Sequence, residues 1–244
     1  MSAKDQIFST LLEDVSGFEF DAAVASVFPD MIQRSVPGYA SVVAMSGFLA
    51  QRFAQPNTRL YDLGCSLGAT SLSMAKTLNE SQNSCEIIAV DNSADMLEQA
   101  KKILGRERLQ HSVQLLHADI CDVDVSNASL IALNYTLQFV KPEKRNTLLA
   151  HLAEGMNSGG VLILSEKIAF DDNPVNDLFS DLHHEFKRSK GYSDLEISQK
   201  RAAIENVLIP ETLEVHVARL RDAGFQRVEL WFQCLNFASL LAFK

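Results

Sequence analysis

Short apolar runs that end in polar loops alternate along this chain with segments whose apolar residues recur every three or four positions. Runs of the first kind have the length of buried strands and segments of the second kind read as amphipathic helices, so the alternation predicts βαβ units and a mainly parallel sheet. Residues 59–63 form the first strand, and the helix over 69–78 carries Leu72, Met74, Ala75 and Leu78 at helical spacing. The second strand covers 85–90, after which Ser93 stands where it caps a helix with Met96, Leu97, Ala100, Ile103 and Leu104 on its core face. Residues 113–117 form a third strand and 129–133 a fourth. From Pro142 a helix turns Leu148, Leu149, Leu152 and Met156 inward and stops at Gly159-Gly160, before a fifth strand over 161–165.

The polar, helical-looking stretch 167–210 is too long for an ordinary connection and reads as an insertion that covers the site. A helix with Leu213, Val217 and Leu220 then ends at Gly224, and two apolar strands, 227–233 and Phe237–Phe243, close the chain. The turn at Leu235-Asn236 is so short that these two strands must be antiparallel neighbours. Five parallel strands plus a terminal hairpin make a seven-stranded α/β sheet that resembles the Rossmann-like class I methyltransferase fold. The whole of 1–244 reads as one domain, with 1–55 as an N-terminal helical lid and 167–210 as the helical insertion.

Composition narrows the choice of chemistry. With 47% apolar and 22% charged residues, 244 residues suffice for one substantial core. A net charge of −9 disfavours direct work on nucleic acid, because a general basic surface for phosphates is missing. Cys65, Cys85, Cys121 and Cys234 form no Cys-x-x-Cys pair, and His183-His184 lacks the i, i+4 spacing of a helical zinc site, so no metal is expected. The first residues lack an apolar signal core and no apolar run is long enough to span a bilayer, which points to a cytoplasmic protein without membrane contact.

Candidate chemistry collects at the carboxyl ends of four consecutive strands, where an open α/β sheet binds its ligand. Tyr61-Asp62-Leu63-Gly64-Cys65-Ser66-Leu67-Gly68 is a Gly-containing turn between strand and helix. Ser66 stands where a dinucleotide fingerprint needs glycine, so the loop suits the amino-acid end of S-adenosylmethionine better than a pyrophosphate. Asp91, with Asn92, follows the second strand 23 positions after Gly68, close to the spacing of an acidic residue that accepts from ribose hydroxyls. Asp119 and Ile120 after the third strand suit an adenine, and Asn134 closes the fourth. No Asn-Pro-Pro-Tyr-like run follows that strand, and there is no Pro-Cys nucleophile pair. The basic residues Arg34, Lys187, Arg188, Lys200 and Arg201 offer a site for a small polycarboxylate, since a guanidinium binds a carboxylate through two parallel hydrogen bonds.

Four segments carry a closer likeness: Phe28-Pro29-Asp30-Met31-Ile32-Gln33-Arg34-Ser35-Val36-Pro37-Gly38-Tyr39, the loop 61–68, Gly191-Tyr192-Ser193-Asp194-Leu195-Glu196-Ile197-Ser198-Gln199-Lys200-Arg201, and Leu230-Trp231-Phe232-Gln233-Cys234. Together they resemble the bacterial carboxy-S-adenosyl-L-methionine synthase family over nearly the whole length. The resemblance implies a transferase in which S-adenosyl-L-methionine accepts a carboxyl group from prephenate. The products would be carboxy-S-adenosyl-L-methionine and phenylpyruvate, the former feeding a tRNA carboxymethyltransferase at the wobble uridine. It also implies a homodimer, and binding positions at Tyr39, Gly64, Cys65, Ser66, Asp91, Asn92, Asp119, Ile120, Asn134 and Arg201. Of these, Arg201 is expected on the new carboxylate, in cis or across the dimer, and is the one catalytic candidate. His183, His184 and Tyr192 are helpers or structural residues. An ordinary methyltransferase of a small acid and a non-catalytic nucleoside carrier remain as alternatives.

Overall fold

The computed structural model describes residues 4–11, 18–78 and 84–244. Two helices, α1 (Ala22–Ser35) and α2 (Tyr39–Phe53), precede the sheet. The chain then runs β1 (Arg59–Leu63), α3 (Ala69–Thr77), β2 (Glu86–Asp91), α4 (Ala94–Leu104), β3 (Val113–His117) and β4 (Ala128–Asn134). It continues through α5 (Pro142–Gly155), β5 (Met156–Ala169), α6 (Asn173–Ser189), α7 (Asp194–Ile204), β6 (Glu211–Thr212), α8 (Leu213–Asp222), β7 (Arg227–Cys234) and β8 (Phe237–Phe243).

The strands lie in the order β3-β2-β1-β4-β5-β8-β7. Neighbours from β3 to β5 are parallel, and β8 is antiparallel to both β5 and β7. The chain moves outward in one direction through β1, β2 and β3, then returns and moves outward in the other through β4 and β5. That reversal opens a crevice beyond the carboxyl ends of β1 and β4. The sheet has eight strands rather than the seven expected, because Glu211–Thr212 pairs in parallel with Ile168 and Ala169. A two-residue strand is too short to leave a periodic signal in sequence.

Alternation along the strands builds two cores. On one face Leu60, Leu130, Ala132 and Ile163 pack with Met74 and Ala75 of α3 and Ala50 of α2. On the other, Tyr61, Leu63, Ile131, Leu133 and Leu162 pack with Leu148, Leu149 and Leu152 of α5 and Leu220 of α8. Helix starts are marked as the side chains predict: Ser93 accepts from the Met96 amide, and Ser193 forms a capping box with Glu196 at α7.

One boundary differs. Helix α5 ends at Gly155, not at Gly159-Gly160, and Met156 opens β5 opposite Ala128. A side chain at position 155 would bring its Cβ to 2.0 Å from the Val125 carbonyl oxygen, so the close passage of two backbone segments ends the helix there. This constraint is tertiary and leaves no mark on the helical periodicity.

Behind the insertion, a buried ion triad ties the elements together. Arg145 of α5, fully buried, pairs with Glu211, which also receives two bonds at 2.6 Å from Arg219 of α8. The Arg hydrogen bonds outweigh the effect of burial and hold the Glu211 carboxyl down at about 2.

Candidate functional site

The loop after β1 is shaped by three left-handed residues, Gly64, Ser66 and Gly68, with φ of 78°, 49° and 78°. Gly64 is required twice over. Its backbone occupies the region that favours glycine, and an added Cβ would lie 2.3 Å from Thr136 Oγ1. The amides of Gly64 and Cys65 both donate to the Val90 carbonyl, at 2.8 and 2.9 Å, which anchors the loop to the end of β2. Asp62, the acidic residue that opens the loop, does not face the crevice. It is buried and accepts from the amide and hydroxyl of Ser71, at 2.9 and 2.6 Å, thereby fixing the first turn of α3. Burial pushes its carboxyl up to about 6 against the pull of those Ser71 bonds.

Asp91 ends β2 and accepts the Ser66 amide at 2.7 Å and the Ser93 amide at 2.9 Å. It thus couples loop and helix α4 while lining the crevice, and burial raises its pKa against those same bonds. Asp119 is turned by a bond from the Cys121 amide at 2.9 Å. Asn134 is locked by three side chains: its amide donates to Ser46 and Thr70, and its carbonyl accepts from Ser165 at 2.7 Å. Tyr39, at the start of α2, has its phenol pKa pushed up by burial and then by Asp62, so at neutral pH it is a hydroxyl donor.

These residues line one cavity of about 500 Å³. It holds Tyr39, Gly64, Cys65, Ser66, Asp91, Asn92, Asp119, Ile120 and Asn134, nine of the ten positions expected from sequence. Arg201 is the exception. It lies exposed in the last turn of α7 and is absent from the lining. Aromatic rings close part of the wall: Phe20 meets Phe28 and Phe139 edge-on, with centroids 6.2 and 5.3 Å apart.

The same cavity also carries positive charge, with Lys141 and Lys144 among its lining residues. Lys167 from β5, Lys187 from α6 and Lys200 from α7 all line it, together with His183 one helical turn before Lys187. Lys200 is buried beside Asp5 Oδ2 at 3.5 Å and donates to Ser35 Oγ at 3.0 Å. Burial, opposed by Asp5, holds its ammonium down at about 8. Lys187 is pushed down further, to about 7, by burial and then by the positive charges of Lys200, Lys167 and Arg201. Burial and Arg201 lower Lys167 as well. His183 lies 2.7 Å from the Ser35 carbonyl through Nε2 and packs edge-on against Phe237. Burial, followed by Lys187, takes it down to about 3, so it is neutral at physiological pH and its proton sits on Nε2.

Other basic residues anticipated as carboxylate binders are engaged elsewhere. Arg34 donates to the Lys190 carbonyl at 2.8 Å, to the Asp5 carbonyl and to Asp30, with its guanidinium 3.7 Å from the Tyr192 ring centroid. Tyr192 donates its hydroxyl to Asp5. Both residues fasten the segment around Asp5 to the insertion. Arg188 is exposed and pairs with Asp194 at 2.7 Å. Sequence reasoning passed over Lys167, although the rule that located Asp91 and Asn134 covers it: Lys167 stands two residues past Ser165, the β5 partner of Asn134, at the same edge of the sheet. Among the described residues no three His, Cys, Asp or Glu side chains gather to hold a metal ion.

Known proteins resemble this chain in both fold and sequence. A family model described as a methyltransferase domain matches residues 60–160, the part that supplies the loop, Asp91, Asp119 and Asn134. Among solved structures, a putative S-adenosyl-L-methionine-dependent methyltransferase from Methanococcus maripaludis superposes with a TM-score of 0.59. That match covers 96% of this chain and 97% of the other at 19% identity, a likeness of fold alone. Curated relatives are much nearer. The carboxy-S-adenosyl-L-methionine synthase of Aliivibrio fischeri (strain MJ11) is 52% identical over all of both chains. That of Aeromonas hydrophila is 53% identical over all of this chain and 97% of its own. Identity on that scale over all of this chain places this enzyme in the carboxy-S-adenosyl-L-methionine synthase family.

Proposed function

We propose that this chain is a cytoplasmic enzyme that converts S-adenosyl-L-methionine and prephenate into carboxy-S-adenosyl-L-methionine and phenylpyruvate. The observation that carries the reading is a single cavity lined both by the carboxylates Asp91 and Asp119 and by the ammonium groups of Lys167, Lys187 and Lys200. Asp91 and Asp119 suit the ribose hydroxyls and adenine amino group of the nucleoside, Gly64, Cys65 and Ser66 suit its amino-acid end, and Ile120 packs on the base. The remaining volume, rimmed by cations, suits a carboxylate-bearing second substrate.

In the reaction, the ring C–O bond of prephenate breaks to release hydroxide as its ring carboxylate leaves as carbon dioxide and the ring aromatises. The hydroxide takes a proton from the sulfonium methyl group to give water, and the carbanion so formed bonds to the carbon of the carbon dioxide. The substrates thereby bring their own base. This fits a cavity in which His183 is neutral with its proton engaged at Ser35, while the buried Asp62 and Glu166 stand outside the lining and are held by backbone amides. The protein's work is then to align the two molecules, keep water out and balance charge.

Arg201 takes the new carboxylate from the second subunit of a homodimer, a reading supported by its exposure and its absence from its own chain's cavity. The product passes to a tRNA carboxymethyltransferase for wobble-uridine modification. The net charge of −9 suits an enzyme that hands on a small molecule rather than gripping RNA itself. Incubation with both substrates should release phenylpyruvate and a nucleoside heavier by one carbon dioxide unit, in equal amounts. Arg201→Ala should weaken the carboxylated nucleoside far more than S-adenosyl-L-methionine in calorimetric titrations. Equal losses for the two ligands refute the assignment of Arg201.

A further inference from the structure

Of the lysines that line the cavity, Lys167, Lys187 and Lys200 lie near enough for Lys167 and Lys200 both to act on Lys187, and of these three only Lys200 is balanced. Lys200 has Asp5 at 3.5 Å and Ser35 at 3.0 Å, and its ammonium lies over the Tyr192 ring, 5.3 Å from the centroid. Neither Lys167 nor Lys187 has a carboxylate within 4 Å or a hydrogen-bond acceptor among the described residues. They come from different elements, the end of β5 and the last turn of α6, and meet at the one cavity. Placing cations together away from bulk water is costly unless an anion joins them.

A structural role accounts for these lysines less well. A lysine in the last turn of a helix complements the helix dipole, worth about 0.3–1 kcal/mol, but it does so from solvent, as Arg188 does beside it. Lys187 instead shares the inward face with His183, four residues earlier. Lys167 belongs to a strand and has no dipole to complement. The groups around the pair are His183, His184, Lys200 and Arg201, none of them anionic at neutral pH. Two unbalanced positive charges are what a dianion would neutralise.

We propose that Lys167 and Lys187, with Lys200 fixed behind them by Asp5, form the subsite that holds a small dicarboxylate, each ammonium facing one carboxylate. This assignment rests on the two-substrate reading above and locates the second substrate within it. The lowered pKa of Lys187 agrees with it, since an anion that holds this ammonium fully charged takes up protons as it binds near neutral pH. Lys167 and Lys187 are then binding and orienting groups that position the departing carboxylate near the nucleoside, and Arg201 is left to act on the product.

The test uses full-length enzyme carrying Lys167→Met, Lys187→Met or Lys187→Arg, chosen because methionine keeps the apolar stem and arginine keeps the charge. Binding of prephenate and of malonate, a dicarboxylate probe that does not depend on turnover, is measured by calorimetry on enzyme saturated with S-adenosylhomocysteine. S-adenosyl-L-methionine is titrated separately. Each methionine variant should weaken both dicarboxylates tenfold or more, leave S-adenosyl-L-methionine within twofold, and raise the KM for prephenate, while Lys187→Arg recovers most of the loss. Proton uptake on binding, read from titrations in buffers of different ionisation enthalpy, should shrink in Lys187→Met. The proposal is overturned if wild-type enzyme binds neither dicarboxylate, if the variants bind them normally, or if S-adenosyl-L-methionine is weakened as much, which would give the lysines to the nucleoside's own carboxylate. Malonate binding that depends on the lysines, without carboxylated product, would sink the reaction and spare the subsite. Turnover with an unchanged KM in the variants would do the reverse.

Discussion

Lys187→Met should make this protein more stable at neutral pH. Its ammonium falls from 10.5 to about 7 on folding, driven by burial and by Lys200, Lys167 and Arg201. At about 1.4 kcal/mol for each tenfold change in an equilibrium, the cost to the folded state has a ceiling of roughly 5 kcal/mol. Lys187 is only partly buried, so cavity water and movement of its flexible side chain reduce that cost severalfold. We therefore expect about 1–3 kcal/mol, or roughly 2–12 °C in Tm for a chain of this size. The pH dependence is diagnostic. A lysine whose pKa drops on folding costs stability fully below about pH 7, where both states are protonated, and the cost fades as pH rises toward 10.5. The gain from the variant should be full at pH 6 and much smaller at pH 10, measured as the difference from wild type in urea unfolding without ligand. Saturating dicarboxylate should reverse the order, stabilising wild type but not the variant. A variant less stable than wild type at pH 6, or equally favoured at pH 10, refutes the picture of an uncompensated, partly buried cation.

Two further outcomes follow from other parts of the molecule. Asp91→Asn should weaken S-adenosyl-L-methionine by about 10- to 100-fold in calorimetry, since a hydrogen bond to a charged group contributes about 1.5–3 kcal/mol, and an unchanged affinity would remove Asp91 from the ribose. Glu211→Gln leaves the fully buried Arg145 without its counter-charge and should cost about 3–5 kcal/mol in urea unfolding. The same carboxyl, held at about 2 against 4.5 when unfolded, contributes stability that is complete above pH 4.5 and lost as pH falls toward 2.

Much of this was legible along the chain, and the parts that were not share a physical cause. The strand at 59–63 was readable because burial on both faces leaves a mostly apolar run, and the cap at Ser93 because capping chemistry is local. The nine cavity residues were found because strand ends of an open parallel sheet converge on one crevice. Long-range contacts were invisible. The end of α5 depends on Val125 passing Gly155, and Arg34 is committed by Lys190, 156 residues away. Inward lysines are the clearest case. Lys187 and Arg188 are adjacent in sequence, yet one lines the cavity and the other faces solvent, a difference set by how α6 packs rather than by composition.

The central claim is that one cavity brings a nucleoside and a carboxyl donor together and moves the carboxyl between them. Prephenate labelled with ¹³C in its ring carboxylate tests it directly, with the nucleoside product analysed by mass spectrometry. The account predicts a nucleoside heavier by one labelled carbon dioxide unit, formed in step with phenylpyruvate. A nucleoside recovered only as S-adenosyl-L-methionine or its demethylated form, with the label still in prephenate, would contradict it.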